Sequence, residues 1–181
     1  MQKEARYCLY QRRKCQVEVR LSRKMQKKVV DACFLLRSNL DFSDRNYYTT
    51  HEVLEEIKEE IKKAGIDAAV SKGFLKIKEP SKDSIAKVEA MAKKTGDFKF
   101  LSKADISLIA LALDLKALVI SDDYAIQNVC NFLGLAYKGF LQKSIEKKIR
   151  WRFVCKGCKK YFREYKERCD VCGSKISKIK N

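Results

Sequence analysis

The sequence predicts an α/β fold, in which a parallel sheet is sandwiched by helices and a small cysteine-rich module follows. Two observations support this class. Between residues 28 and 140, short apolar runs alternate with helical patterns, which is typical of parallel strands joined by crossover helices. After residue 150, four cysteines stand in two pairs, within a segment too short to bury a core of its own.

The first part of the alternating region contains two predicted strands. Lys28–Val30 forms a short strand that leads into a helical pattern. A second brief strand at residues 47–48 leads into a helix that we expect to end at Gly65. Thr49 and Glu52 have the spacing of a capping box at the start of that helix.

Stop signals define the rest of the region. The only proline, Pro80, ends a strand that starts at Phe74, and Gly96 is the expected C-cap of the helix that follows. The segment 102–115 is so apolar that we expect a helix buried on most of its circumference. The other predicted elements are a helix over 81–95, a strand over 118–120, a helix ending at Gly134 and a last short strand, "LAYKGF".

Composition limits the classes of protein that fit. The 181 residues suffice for one ordinary domain plus something small, and 46% hydrophobic residues argue against wholesale disorder. No apolar run approaches the roughly 18 residues that a membrane span requires. The first residues, "MQKEARYCLYQRRKCQ", lack the apolar middle of a secretory signal. We therefore expect a cytoplasmic protein without a membrane partner.

The net charge of +17 is concentrated at the two ends of the chain. Residues 1–28 hold 10 basic residues against 2 acidic ones, and residues 143–181 hold 14 against 4. Residues 29–142 therefore carry a net charge of −1. Basic ends predict a polyanionic partner, while the near-neutral centre is compatible with an acidic pocket.

The cysteine spacing predicts a structural zinc site. Cys155 and Cys158 form one C-x2-C pair, and Cys169 and Cys172 form another after ten intervening residues. Each pair can bend the chain into a knuckle, and two knuckles complete a tetrahedral Zn²⁺ site with four sulfur ligands. The alternatives, two redox pairs or a disulfide staple, fit less well because neither an export signal nor an αβ unit accompanies the pairs.

The cysteine module carries a surface suited to nucleic acid. Basic residues are interleaved with aromatic ones, a combination that binds phosphates and stacks on bases. The alternative is a surface that merely keeps the protein in solution. The candidate RNA-binding residues are Arg150, Arg152, Lys156, Lys159, Lys160 and Arg163.

Acidic residues lie near the ends of predicted strands. Asp31 follows the first strand, Asp122 and Asp123 follow the fourth, and Asp105 lies near the start of the apolar helix. The functional crevice of a parallel sheet lies at the carboxyl ends of its strands. Taken singly, each acid has an alternative role as a helix cap or a solvated residue. Their joint placement predicts a site for a hard divalent cation, Mg²⁺ or Mn²⁺.

Four segments resemble the acidic motifs of PIN-domain nucleases: "VVDACFLL", "YTTHEVLEEI", "ADISLIALAL" and "LVISDDYAIQN". The later segments "IRWRFVCKGCKKYF" and "CDVCGS" narrow the resemblance to the archaeal Nob-one family, in which a PIN domain and a basic linker precede a four-cysteine zinc ribbon. The resemblance covers residues 29 to about 178. It implies an endonuclease that matures the 3′ end of small-subunit rRNA.

The resemblance also implies which acids are functional. In the second motif the acid is Glu56, with Glu52, one helical turn earlier, as the alternative. In the fourth motif both Asp122 and Asp123 match the family's paired aspartates, and we favour Asp123 as the residue that binds the cation. The implied catalytic residues are Asp31, Glu56, Asp105, Asp122 and Asp123, of which Asp31, Asp105 and Asp123 bind Mg²⁺ or Mn²⁺.

The implied reaction is hydrolysis of a phosphodiester bond in single-stranded precursor rRNA, leaving a 5′-phosphate and a 3′-hydroxyl. The implied partners are this RNA, the pre-ribosomal small subunit and assembly-factor proteins. The only histidine, His51, is expected at a helix start or on the surface rather than in catalysis. Asn128 is expected either to support the loop of the fourth motif or to lie on a helix surface.

These features divide the chain into a basic N-terminal extension over 1–28, a PIN domain over 29–140, a basic linker over 141–152 and a zinc ribbon over 153–181. The extension departs from the family, and Met25 stands where a family start would be expected. Two interpretations stay open, an arm that folds on RNA and a misassigned start.

Three alternative functions stand beside the favoured one. A toxin-type PIN ribonuclease that cuts tRNA or mRNA is disfavoured by the zinc ribbon, because such toxins resemble bare PIN domains. A non-catalytic RNA-binding factor in ribosome assembly is disfavoured by the complete set of acids. A zinc-ribbon transcription factor would have no use for a large acidic α/β domain.

Overall fold

Five parallel strands form the main sheet. The computed structural model of the protein describes residues 26–37 and 46–180, so residues 1–25 of the predicted basic extension lie outside the described residues. Every neighbouring pair of strands is parallel, which confirms the predicted α/β class. The strands are β1 (Lys28–Val30), β2 (Tyr47–Thr49), β3 (Leu75–Ile77), β4 (Leu118–Ile120) and β5 (Tyr137–Lys138), in the order β3-β2-β1-β4-β5.

Within the described residues, six α-helices accompany these strands. Two predicted stop signals are confirmed, because Gly96 (φ 84°) and Gly134 (φ 73°) take the left-handed conformation that ends a helix. A 3₁₀ turn at Phe98–Phe100 precedes the fifth helix. The helices are α1 (Ala32–Arg37), α2 (His51–Glu55), α3 (Glu60–Ser71), α4 (Lys82–Thr95), α5 (Lys103–Leu115) and α6 (Tyr124–Leu133).

Helix α5 is the centre of the hydrophobic core, as its apolar sequence predicts. Four consecutive residues, from Leu108 to Leu111, have no exposed side-chain surface. They share one core with Val29 of β1 and Val119 of β4. Helix α5 is the most apolar of the described helices, but it has only 13 residues. No helix in the described part of the chain combines the length and the hydropathy of a membrane span. Its buried position fixes the location of its first turn, which carries Asp105.

The prediction of a single helix ending at Gly65 is wrong, because this segment forms two helices. Helix α2 ends at Glu55, and α3 begins at Glu60. Between them the chain turns inward at Ile57, whose side chain is 1% exposed and whose N–H donates to the carbonyl of Leu54. Burying this side chain favours the turn over a continuous helix. Gly65 lies exposed within α3 rather than at its end.

The predicted capping box of Thr49 and Glu52 is also wrong. Thr50 is the N-cap of α2 and makes no side-chain capping bond. The Thr49 hydroxyl instead donates to the Val30 carbonyl (3.2 Å), which joins the ends of β2 and β1. The Glu52 carboxylate accepts a hydrogen bond from Ser107 of α5 (2.9 Å). Both side chains are used for tertiary contacts, which local spacing does not reveal.

A second, antiparallel sheet contains the cysteine module. Its strands are β6 (Trp151–Cys155), β7 (Tyr161–Phe162) and β8 (Ile176–Lys180), in the order β7-β6-β8. A small core forms around the fully buried Phe153, with Cys155, Cys169 and Ile176. A cluster of this size is too small to stabilise a domain alone, which agrees with a role for a bound metal.

A partly buried ion pair connects the small sheet to the helices of the large one. Asp97, only 1% exposed, accepts a hydrogen bond from the Lys178 ammonium of β8 (3.1 Å). The same ammonium lies over the rings of Phe100 (3.8 Å) and Trp151 (4.2 Å). A side chain at Gly96 would contact Trp151 at 3.1 Å, so glycine also permits this close approach.

Asn128 belongs to the joint between the two sheets, which is the contact region around Asp97 and Lys178. It neither supports the loop of the fourth motif nor lies on a helix surface, so both expectations are wrong. Its side chain is buried and donates to the Asp97 carboxylate (2.6 Å) and to the Ile149 carbonyl (2.8 Å). Its amide oxygen accepts from the Ile149 N–H (2.9 Å). Asn128 therefore fixes the chain just before β6. The loop of the fourth motif is supported by the neighbouring Gln127, whose amide donates to the Ser121 carbonyl (2.8 Å).

The joint generates a stability prediction. Lys178→Met should lower the free energy of unfolding by about 3 kcal/mol, because Asp97 stays buried without its cation. Lys180→Met, at an exposed position of the same strand, should change it by less than about 0.5 kcal/mol. Urea unfolding measures both values. The double variant Asp97→Asn/Lys178→Met should recover most of the loss, and equal effects of the two single variants would contradict the role of the pair.

Candidate active site

Five acidic side chains line one open cleft of about 520 Å³ at the carboxyl edge of the main sheet. Asp31 follows β1, and Asp122 and Asp123 follow β4. These two strands are direct neighbours in the sheet, so their ends bring the three carboxylates together. Asp105 in the first turn of α5 and Glu56 at the end of α2 complete the acidic wall. The cleft therefore unites the five predicted catalytic residues.

Asp31 is the most buried of these five acids. Its side chain is 8% exposed, and one oxygen accepts the N–H of Phe34 (2.7 Å). Burial raises the pKa of Asp31, although hydrogen bonds from Ser121 and Phe34 act in the opposite direction. The charges of Asp122 and Asp123 raise this pKa further. Positive charge in the cleft would therefore favour the ionised form of Asp31.

Asp105 has a comparable setting in a capping box. Its carboxylate accepts the N–H of Ser102 (2.8 Å), and its own N–H donates to the Ser102 hydroxyl (3.1 Å). Burial raises the pKa of Asp105, the bonds to Ser102 lower it, and the charges of Asp123 and Glu56 raise it again. Asp105 is therefore within electrostatic reach of acids from two other elements, which is the chemistry of a cation site.

The adjacent aspartates of the fourth motif have different surroundings. One oxygen of the exposed Asp123 accepts the N–H of Ala125 (2.6 Å) and caps α6. The carboxylate of Asp122 accepts from the backbone N–H groups of residues 140, 141 and 142. Burial opposes ionisation of Asp122, but these N–H groups and Arg37 together bring its pKa below the ordinary value. Asp122 is thus already satisfied by the protein.

The two glutamates of the second motif are also separated by their contacts. Glu56 lies exposed on the cleft and influences the pKa of Asp105 through its charge. Glu52 is not among the residues that line the cleft, and its carboxylate binds Ser107. His51 is exposed as the first residue of α2 and lies outside the cleft, as expected.

The sequence did not indicate a basic side chain in the cleft. Arg37, in the last turn of α1, lines it together with the acids and lowers the pKa of Asp122 through its charge. Its guanidinium can bind a phosphate that approaches the carboxylates. The i, i+4 spacing of Cys33 and Arg37, which both line the cleft, was the available signal. The direction of that helix face depends on tertiary packing.

The four paired cysteines form a cluster that fits a metal ion. All four sulfur atoms lie within 4.8 Å of one another. A tetrahedral ion with metal–sulfur bonds of about 2.3 Å separates its ligands by about 3.8 Å, so only small adjustments are needed. Hydrogen bonds from Ser174 lower the pKa of Cys172 to about 6, which favours a thiolate ligand.

Two glycines shape the knuckles for different reasons. Gly173 takes a left-handed conformation (φ 70°), as expected for a sharp turn. Gly157 instead provides space, because a side chain there would lie 2.4 Å from the Ser174 hydroxyl.

The candidate RNA-binding residues Arg150, Arg152, Lys156, Lys159, Lys160 and Arg163 are all exposed. Arg163 also borders a crevice of about 180 Å³ between the end of α4 and the cysteine module. Aromatic side chains from both parts, Phe98, Phe153 and Tyr165, line this crevice together with Lys93 and Lys99. Aromatic and basic groups from both parts of the chain therefore lie side by side in this crevice.

Comparisons with known proteins agree with these observations. Residues 29–115 match a family model for the PIN domain of ribonuclease. Endoribonuclease Nob1 of Methanocaldococcus jannaschii is 42% identical over 157 residues, which cover 85% of this chain and 78% of that relative. Ribonuclease VapC1 of Thermoplasma acidophilum is 33% identical over 150 residues, or 83% and 76% of the two chains. The 20S-pre-rRNA D-site endonuclease NOB1 of Saccharomyces cerevisiae is 36% identical over 83 residues, or 46% and 18%.

The parallel sheet, the acidic cleft and the cysteine cluster thus occur together with extended similarity to a named endoribonuclease. The protein is an endoribonuclease with a PIN fold, and it belongs to the archaeal Nob1 family.

Proposed function

We propose that this endoribonuclease cleaves single-stranded precursor rRNA and forms the 3′ end of 16S rRNA. The main supporting observation is the convergence of five carboxylates and Arg37 in one open cleft, in a chain that also exposes a basic surface. The name of the yeast relative, a pre-rRNA endonuclease, supports ribosomal RNA as the substrate. A single strand can enter such a cleft with its bases unstacked, whereas a duplex cannot.

The acids of the cleft have distinct roles in this proposal. Mg²⁺ or Mn²⁺ held by these acids would supply Lewis-acid chemistry, activating a water molecule and stabilising charge on the phosphoryl group. The N–H of Phe34 binds one oxygen of Asp31, and the N–H of Ser102 binds one oxygen of Asp105. These hydrogen bonds orient the second oxygen of each acid. Arg37 binds a phosphate of the substrate. The proposed cation ligands are Asp31, Asp105 and Asp123, and Glu56 is a further catalytic acid.

The cysteine module gathers the RNA. We propose that Cys155, Cys158, Cys169 and Cys172 bind Zn²⁺ and that the basic residues of β6 and the knuckles contact phosphates. The functional units in this proposal are a PIN domain over 29–140, a linker over 141–152 and a zinc ribbon over 153–181. The protein would act in the cytoplasm on the pre-ribosomal small subunit, together with assembly-factor proteins.

A second candidate is a ribonuclease for another RNA class, such as tRNA or mRNA. The similarity to ribonuclease VapC1, whose name does not mention ribosomal RNA, favours this candidate. Incubation with precursor fragments of small-subunit rRNA, with tRNA and with mRNA distinguishes the two. Cleavage of the rRNA fragment at the mature 3′ end, with the other RNAs intact, supports the proposal; preferential cleavage of tRNA or mRNA overturns it.

Asp31→Asn should lower the cleavage rate about 10³-fold or more while RNA affinity stays within about twofold, because it removes a proposed cation ligand and leaves the basic surface unchanged. Asp83→Asn, at an exposed position of α4, is the matched control. Cleavage assays with mapped product ends measure the rate, and binding titrations measure the RNA affinity. Normal cleavage by the Asp31 variant would refute the role of this acid.

Asp31→Asn should also stabilise the protein in buffer without divalent cations. Because the pKa of folded Asp31 is raised above that of the unfolded chain, the wild type loses stability as pH rises through this raised pKa. Asparagine does not ionise, so the gain in Tm should be larger at pH 8 than at pH 4.

Glu56→Gln should lower the cleavage rate about 10²-fold and weaken Mn²⁺ binding, since Glu56 lies in the cleft. Glu52→Gln removes the same charge from the same helix, but its side chain binds Ser107. We therefore expect it to change the cleavage rate less than about threefold. Manganese titration and single-turnover kinetics compare the two variants, and the reverse order of effects would assign the role to Glu52.

The purified protein should contain about one zinc ion per chain, as measured by elemental analysis without chelator. Cys169→Ser should lose most of this zinc, expose the small core around Phe153 and weaken RNA binding about tenfold. Cys33→Ser, which changes a cysteine outside the cluster, should keep the zinc. Zinc-free protein with normal RNA affinity would exclude a metal-dependent ribbon.

A further inference from the structure

Hydrogen bonds to Asp122 fix the backbone of one wall of the cleft. The wall is the rim turn, defined as residues 139–142, which follows β5. One oxygen of Asp122 accepts the N–H groups of Phe140 (2.7 Å), Leu141 (3.0 Å) and Gln142 (3.0 Å). The second oxygen also accepts the N–H of Leu141 (3.0 Å). A single carboxylate thus orders three consecutive backbone groups that lie 18 to 20 residues further along the chain.

The rim turn is also fixed from its other side. The N–H of Gly139 donates to the Ser144 hydroxyl (2.7 Å), and Gln127 accepts the N–H of Ile145 (2.8 Å). A side chain at Gly139 would lie 2.1 Å from the Gln142 carbonyl oxygen and 3.2 Å from the Asp122 carboxylate. Only glycine fits there, so both the sequence and the hydrogen bonds specify one conformation of the turn.

The rim turn places apolar surface beside the acids. Leu141 is 60% exposed and lines the cleft together with Gln142. Phe140 is 41% exposed, and its ring contacts the ring of Phe34 edge to face (4.9 Å between centroids). Phe34 in turn donates its N–H to Asp31. The apolar turn is thereby connected directly to the most buried acid of the cleft.

We propose that Asp122 is a positioning residue rather than a cation ligand, and that Leu141 on the rim turn packs against the base of a nucleotide adjoining the scissile phosphate. This inference rests on the proposed function, since it assumes that the carboxylates hold a phosphate of single-stranded RNA. A phosphate in this cleft brings its neighbouring bases to the cleft walls, and Leu141 is an exposed apolar group on a wall. Every unstacked base has an apolar face, so the contact tolerates different sequences.

The test uses a fluorescein-labelled oligoribonucleotide that the wild type cleaves. It is compared with two abasic versions, one lacking the base on the 5′ side of the cleaved bond and one lacking the base on the 3′ side. Affinity is measured in the Asp31→Asn background, so that no cleavage occurs. Leu141→Ala should weaken binding of the intact RNA about tenfold and should leave binding of one of the two abasic RNAs unchanged. Ile61→Ala, which changes a side chain that is 89% exposed on α3, should leave both affinities unchanged.

Equal weakening of intact and abasic RNAs by Leu141→Ala would overturn the base contact, and so would an unchanged affinity for the intact RNA. The latter result leaves the rim turn available to a protein partner. Failure of the wild type to cleave any precursor rRNA would instead refute the proposed function. The two failures are therefore distinguishable.

Asp122 is tested in parallel. Asp122→Ala should weaken RNA binding as much as Leu141→Ala does. The double variant Asp122→Ala/Leu141→Ala should bind RNA no more weakly than either single variant. The Mn²⁺ affinity of Asp122→Ala should stay within about twofold of the wild-type value. Asp122→Asn keeps the oxygen that accepts three N–H groups and should have a smaller effect, which provides a second variant if Asp122→Ala does not fold. A loss of Mn²⁺ affinity of more than about tenfold in either variant would make Asp122 a cation ligand and overturn the positioning role.

Discussion

The parallel pairing of β1 with β4 is the constraint on which the candidate site depends. It places the ends of two buried strands side by side, and both strands end in aspartate. The core residues of α5 hold Asp105 close to the same point. Such an arrangement has a local electrostatic cost, because burial and neighbouring negative charge raise the pKa values of Asp31 and Asp105. The fold tolerates this local cost because its apolar centre is extensive.

Several features could be predicted because they depend on local chemistry. Short apolar strands, a nearly continuous apolar run in α5 and two C-x2-C pairs each have a characteristic pattern. The glycines that end α4 and α6 were likewise recognisable. The convergence of Asp31, Asp122 and Asp123 also followed from sequence, since strand ends of a parallel sheet share one edge. Glu56 was instead assigned through the resemblance to PIN-domain nucleases.

The errors concern side chains whose partners are distant in sequence. Thr49 has the spacing of a cap, yet its hydroxyl binds a neighbouring strand, and Asn128 binds both a loop and the chain before β6. The favoured choice of Asp123 over Asp122 is not among these errors, although only the position of the rim turn shows how the contacts of the two residues differ. The division between α2 and α3 depends on the burial of Ile57. Tertiary contacts decided each case, and single-sequence patterns do not contain them.

The joint between the two sheets has a consequence for the thermodynamics of RNA binding. The side chain of Asn128 satisfies both backbone groups of Ile149, as a neighbouring strand would, and thereby fixes the chain that leads into β6. The conformational entropy of this segment is therefore lost during folding. A ligand that contacts both parts of such a protein does not have to order the connection between them, so more of its contact energy remains as affinity.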